Sequence, residues 1–286
     1  MFEIGDVFHI THVVSDVDAA VDWYADVFSP IVFQRSEVLG SRLALQVVGD
    51  VVLMPLSPIE GVPTGVGKFR ERVGPHLHSL AVHVEDPQDF LDHFEKLGRR
   101  LTGARGGDVE GLRDEIWTRP RDFPGLYELW NPRIDDDPRW ADGWSSAYWR
   151  DEHPLGLRGP AWVTVVTGDR AERVPPLLEA FRAPIGHEVG ETPFGTSSAF
   201  VSLSPKVTLE VAQPLDTASP AGTDLERCGE IVHAVTFEVL DAGAAAAHLT
   251  GKGVRVERPT DGQVIAHPDD TQGVQFRFTE TPFSAW

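Results

Sequence analysis

His78–Gly98 reads HSLAVHVEDPQDFLDHFEKLG, and His233–Gly253 reads HAVTFEVLDAGAAAAHLTGKG. In each, a histidine opens an alternating apolar run, an aspartate (Asp86 or Asp241) stands eight residues on, and a glycine stands at twenty. Between Asp86 and Gly98 the apolar spacing changes, with Phe90, Leu91, Phe94 and Leu97 falling on one side of a helix. A period of two marks a strand, a period near 3.6 a helix, and Asp and Gly are common helix start and stop signals. The unit is therefore strand, capped helix, stop, and it occurs twice. Fainter copies open at Phe8 (FHITHVVSDVDAAVDWYADVF) and Trp162 (WVTVVTGDRAERVPPLLEAF). Four related openings, spaced by about 75 residues, predict a fold built by duplication.

Working outward, Ser15–Asp16 caps a predicted helix over Val17–Phe28. Strands are predicted over Ile31–Gln34, Leu43–Val48 and Val51–Leu56, the last two joined by a tight Gly49–Asp50 turn. The order is βαβββ. The second copy continues as strand His78–Val84, a helix to Leu97, a mixed segment Arg99–Asp114, and strands Glu115–Arg119 and Leu126–Trp130. The third has strand Trp162–Thr167, a helix to Phe181, and strands near His187–Val189, Ser198–Ser202 and Val207–Ala212. The fourth has strand Val232–Val239, helix Ala242–Leu249, and strands Val254–Glu257, Gln263–Ala266 and Val274–Phe278. Ser57–Pro75 and Pro214–Gly229 read as connectors. Asn131–Pro160 breaks the pattern. Its Trp140, Trp144, Tyr148 and Trp149 are too dense in aromatic side chains for a flexible linker, so it reads as an ordered crossover that docks on both halves.

Composition narrows the class. With 286 residues the prior is two domains. The 25 basic against 44 acidic residues give a formal charge of −19, which disfavours nucleic acid and anionic membrane as partners. The lone Cys228 excludes an intramolecular disulfide framework and a multi-cysteine zinc site. MFEIGDVFHI is no signal peptide, and no apolar run approaches the roughly 20 residues that span a bilayer. A cytoplasmic protein handling a small-molecule substrate is the expectation, with a homodimer compatible with it.

Paired βαβββ modules with a histidine on the first strand and a carboxylate on the last resemble the vicinal oxygen chelate superfamily. That superfamily includes glyoxalase I, methylmalonyl-CoA epimerase, fosfomycin-resistance proteins, bleomycin-binding proteins and extradiol ring-cleaving dioxygenases. The resemblance spans nearly the whole chain. HITHVVSDVDAAVDWYADVF is similar to the family's opening strand and helix, FPGLYELWNP to its closing strand, and HPDDTQGVQFRF to the corresponding end of the epimerase type. It implies an α+β protein with a tandem pair of domains, each two modules closing into a cupped, mostly antiparallel sheet. The expected boundaries are 1–132 for an N-terminal glyoxalase-like domain, 133–160 for the aromatic-rich crossover, and 161–286 for a C-terminal one.

The resemblance also implies one divalent metal cation, Fe2+, Mn2+, Zn2+ or Ni2+, held by imidazole and carboxylate donors. His9, seven residues before Asp16, stands where the family's first ligand stands. Strand alternation puts His9 and Thr11 on one face and His12 on the other, so His9 is preferred and His12 reads as packed under the helix. His78 stands one residue early and needs a bulge to face the cavity, where His83 would face without one. Glu128 matches the closing carboxylate. The expected metal set is His9, His78 and Glu128, with His83 or His12 as stand-ins. VVLMPLSP has no carboxylate where glyoxalase I supplies a further ligand; Met54 or a neighbour stands there.

The second half departs from the family. Trp162 takes the first ligand position, His233 is displaced as His78 is, and Gln275 and Arg277 replace the closing Glu, so Glu210 alone makes no site. This half is expected to lack metal. Two-domain dioxygenases hold theirs there, and Trp117 stands at their aromatic acid/base position. The resemblance then implies a metal-dependent lyase or isomerase acting on a small oxygenated organic molecule. An extradiol-type ring-cleaving dioxygenase and a metal-free small-molecule binding protein are the alternatives.

Overall fold

The computed structural model describes residues 1–103, 107, 109, 115–130, 134–158 and 161–286. Module one comprises β1 (Glu3–Val13), α1 (Val17–Phe28), β2 (Ile31–Val38), β3 (Ser41–Val48) and β4 (Val51–Pro58). Helix α2 (Gly65–Val73) leads to module two: β5 (His76–Glu85), α3 (Pro87–Lys96), β6 (Thr102–Gly103), β7 (Ile116–Trp117) and β8 (Tyr127–Trp130). The crossover contains α4 (Ala147–Asp151). Module three is β9 (Trp162–Val166), α5 (Arg170–Phe181), β10 (Ile185–Val189), β11 (Thr196–Ser204) and β12 (Val207–Pro214). Helix α6 (Pro220–Cys228) precedes module four: β13 (Val232–Glu238), α7 (Ala242–Gly251), β14 (Val256–Glu257), β15 (Gln263–Ala266) and β16 (Gln275–Thr279). Much of the mixed segment before β7, and both ends of the crossover, lie outside the described residues.

Two eight-stranded sheets result, in the orders β2-β3-β4-β1-β5-β8-β7-β6 and β10-β11-β12-β9-β13-β16-β15-β14. Hairpin neighbours such as β3–β4 and β15–β16 are antiparallel, while β1–β4, β5–β8 and β13–β16 are parallel. A helix between the first and second strands of a module lets its first and last strands run side by side. All four module helices start on aspartate. Asp16, Asp86, Asp169 and Asp241 each accept a hydrogen bond from a first-turn N–H, satisfying donors that the helix itself leaves open.

The two connectors are not plain loops. Thr64 caps α2 and Ser219 caps α6, accepting from the N–H of Gly67 and of Gly222, and each helix ends on a glycine at positive φ, Gly74 at 86° and Gly229 at 79°. The offset of 155 residues is the same for the caps (219 − 64), the stops (229 − 74) and the histidines (233 − 78). The duplication therefore includes the connectors. Among the described residues no helix is long and apolar enough to cross a membrane.

By contact the chain divides into two compact units. One is Met1–Phe8, His78–Arg133 and Val163–Val232. Its aromatic core joins α3 to α5, with Phe94 and Tyr127 both against Phe181 and Phe123 between them. The other is His9–Leu77, Ile134–Trp162 and His233–Trp286. Here Trp23, Tyr24 and Phe28 of α1 pack on Phe276, and Phe28 also meets Phe237 and Phe278. Trp149 of the crossover is buried in this unit, its indole N–H donating to the Phe28 carbonyl at 2.8 Å, and Leu157 bridges to Val239. The described part of the crossover is docked in this unit through these two residues.

Candidate functional site

Strand parity and helix contacts together define a face of each sheet. In β1, His12 faces α1, because its Nδ1 meets the Tyr24 hydroxyl at 2.8 Å. His9 and Thr11 consequently lie on the face away from that helix, and both are buried. Thr11 stands opposite Met54 on β4.

In module two, Tyr127 faces the helices through Phe123 and Phe181. Glu128, the next residue, lies on the opposite face, 2% exposed, with Ala81 of β5 on one side and Trp117 of β7 on the other. By alternation from Ala81, His78 belongs on the helix side. Yet its ring packs edge-on against Trp117 at 5.9 Å, and its Nδ1 lies 3.2 Å from the Ser79 hydroxyl. The imidazole thus reaches the Trp117 ring beside Glu128, half-buried, despite its parity. Gly125, three residues before Glu128, has φ 79°, and a β-carbon there would stand 2.7 Å from the Val165 side chain. Only glycine lets the chain turn into β8 at this point.

Of the stand-ins, His12 has both ring nitrogens engaged, and His83 makes a ring contact. His12 is fully buried: Nε2 donates to the Gln272 carbonyl at 2.9 Å, which leaves Nδ1 to accept from Tyr24. Burial drives its pKa down to about 4, with the neighbouring His76 acting in the same direction, so the ring is neutral. His83 packs its ring on Phe8 at 5.0 Å, and its β-carbon lies 3.4 Å from where a side chain on Gly5 would begin.

In the second sheet the corresponding positions carry different chemistry. Trp162 is buried with its ring edge-on to Phe283 and Trp286. Glu210, fully buried, accepts from Thr164 at 2.5 Å and Ser198 at 2.7 Å, two hydroxyls from two other strands. Across β13, Arg277 stands opposite Thr236, as Glu128 stands opposite Ala81, and 236 − 81 again equals 155. The register thus puts Arg277, rather than Gln275, in the place of Glu128. Its Nε donates to the Gln275 side chain at 2.7 Å. An indole and a guanidinium replace the imidazole and carboxylate, and neither ligates a divalent cation.

Two imidazoles and a carboxylate suit a divalent ion in type. His9 belongs to one compact unit, and His78 and Glu128 to the other. Among the described residues no three His, Cys, Asp or Glu side chains gather into a group that could hold one.

No protein-family model matches the chain, and no curated protein sequence matches it. Among solved structures, a triple mutant of 4-hydroxymandelate synthase from Streptomyces coelicolor matches 99% of this chain and 95% of its own, with a TM-score of 0.72 at 16% identity. The chain has the tandem vicinal oxygen chelate fold. Methylmalonyl-CoA epimerase from Mycobacterium tuberculosis matches 44% of the chain and 90% of its own, with a TM-score of 0.40 at 20% identity. The sequence-predicted ligands His9, His78 and Glu128 lie on strands of the first sheet, and Trp162, His233 and Arg277 take the equivalent places in the second.

Proposed function

We propose that the chain is an enzyme acting on a small oxygenated organic molecule at the helix-free face of the first sheet, with His9, His78 and Glu128 holding one divalent ion, Fe2+, Mn2+, Zn2+ or Ni2+. The observation that carries this reading is Glu128. It is a carboxylate at 2% exposure, on the face that the helices leave, next to an indole that a half-buried imidazole also touches. Carboxylates are kept at such depth where a charge partner or a reaction requires them. A bound divalent ion would polarise a coordinated substrate oxygen.

The finer reading is lyase or isomerase chemistry. Trp117 beside Glu128 donates a hydrogen bond but does not exchange a proton, which deprives ring cleavage of its aromatic acid/base. The runner-up is an extradiol-type dioxygenase. An oxygen electrode with a panel of catechols and Fe(II) separates them: the account expects no oxygen uptake, and catechol-dependent uptake would replace lyase or isomerase by dioxygenase. The lack of a gathered three-residue group among the described residues favours a second reading, a metal-free binding protein. Under that reading ligand binding survives exhaustive chelation.

A further inference from the structure

We infer that Trp117 is a substrate-positioning residue whose indole N–H donates a hydrogen bond to an oxygen of the bound molecule. The inference rests on the reading above, since it takes the face of Glu128 as the place where substrate lies. Trp117 sits on β7 in direct register with Glu128, and its ring meets the His78 imidazole edge-on at 5.9 Å. The ring is half-exposed, but Nε1 is buried and meets no acceptor among the described residues. A buried N–H without an acceptor is unfavourable, so such a group persists where a ligand or water completes it. The backbone leaves Trp117 well held: its carbonyl accepts from the Thr102 hydroxyl at 3.4 Å, and Thr102 is its strand partner.

One feature of the substrate follows: it carries a hydrogen-bond acceptor oxygen (carbonyl, carboxylate or ether) within reach of the Trp117 indole N–H. Indole is a donor only, so this contact orients the molecule without moving a proton.

The test uses the full chain and the Trp117→Phe variant, which keeps the ring and removes the N–H. The probes are acetohydroxamate and catechol, each titrated with Zn2+ present. In 15N correlation spectra the Trp117 indole signal, assigned as the one absent from the variant, is expected to move downfield on saturation. The variant is expected to bind the same probe about 3- to 10-fold more weakly, the loss of one neutral hydrogen bond, with an unchanged or raised melting temperature and unchanged metal content. A stationary indole signal with both probes, or equal affinity in the variant, overturns the role of Trp117. The underlying reading is judged separately, by the metal content of His9→Ala and Glu128→Ala, which does not involve Trp117.

Discussion

His12 shows how one residue is excluded from a site by its own bonds. Both ring nitrogens are used, and burial holds the ring neutral with a pKa of about 4 against an ordinary 6.5. The unfolded chain takes up a proton below about 6.5 and the folded one only below about 4. Stability from this group is thus complete above the first value and falls as the pH drops toward the second, by at most about 3 kcal/mol. His153, also lowered to about 4 by burial beside His248 and Lys252, adds in the same direction. Urea midpoints at pH 7 and pH 4.5 are expected to show a smaller acid loss in His12→Asn than in the wild type. Equal losses would mean that His12 is not the buried neutral ring described. At this scale the sequence was partly legible. Alternation alone separated His9 from His12, because both sit in one regular strand. Alternation alone turns His78 toward the helices unless a bulge intervenes, and nothing in HLHSLAV marks one, yet its ring reaches Trp117.

The elements were legible where the periodicity is strong. Val17–Phe28 was bounded as found, since Asp16 caps it and six of its residues are buried on one side. Helices α2 and α6 were missed, and the reason is physical. Only Val73 is buried in α2, and only Ala221 and Gly222 in α6, so neither has the apolar stripe that periodicity detects. Their signals lay at the ends instead: Thr64 and Ser219 as caps, Pro220 in the first turn, Gly74 and Gly229 as stops. Short helices with little burial lean on their caps. Thr64→Ala and Ser219→Ala are each expected to cost about 1 kcal/mol, seen as a lower denaturation midpoint with an unchanged slope. A change below a few tenths of a kcal/mol in both would show that the caps contribute nothing.

For the whole molecule, the repeat revealed four modules, and the structure distributes them in a way that no repeat can announce. The aromatic cores join module two to module three, and module one to module four, through Phe181 and Phe276. Such pairings depend on which helix meets which sheet, and the four openings are too alike to specify that. The asymmetry in residue type is plain in the sequence, with His9 and Glu128 in one half and Trp162 and Arg277 in the other. What sequence left open is whether the donors act together, since that depends on distances between strands rather than spacing along them. Elemental analysis of the purified chain, reconstituted with each candidate ion and then desalted, addresses this directly. The account predicts about one divalent ion per chain, set by the single three-donor set, and its loss in both His9→Ala and Glu128→Ala with the fold intact by circular dichroism. Metal content unchanged in the two variants, or no metal retained by the wild type, would contradict it.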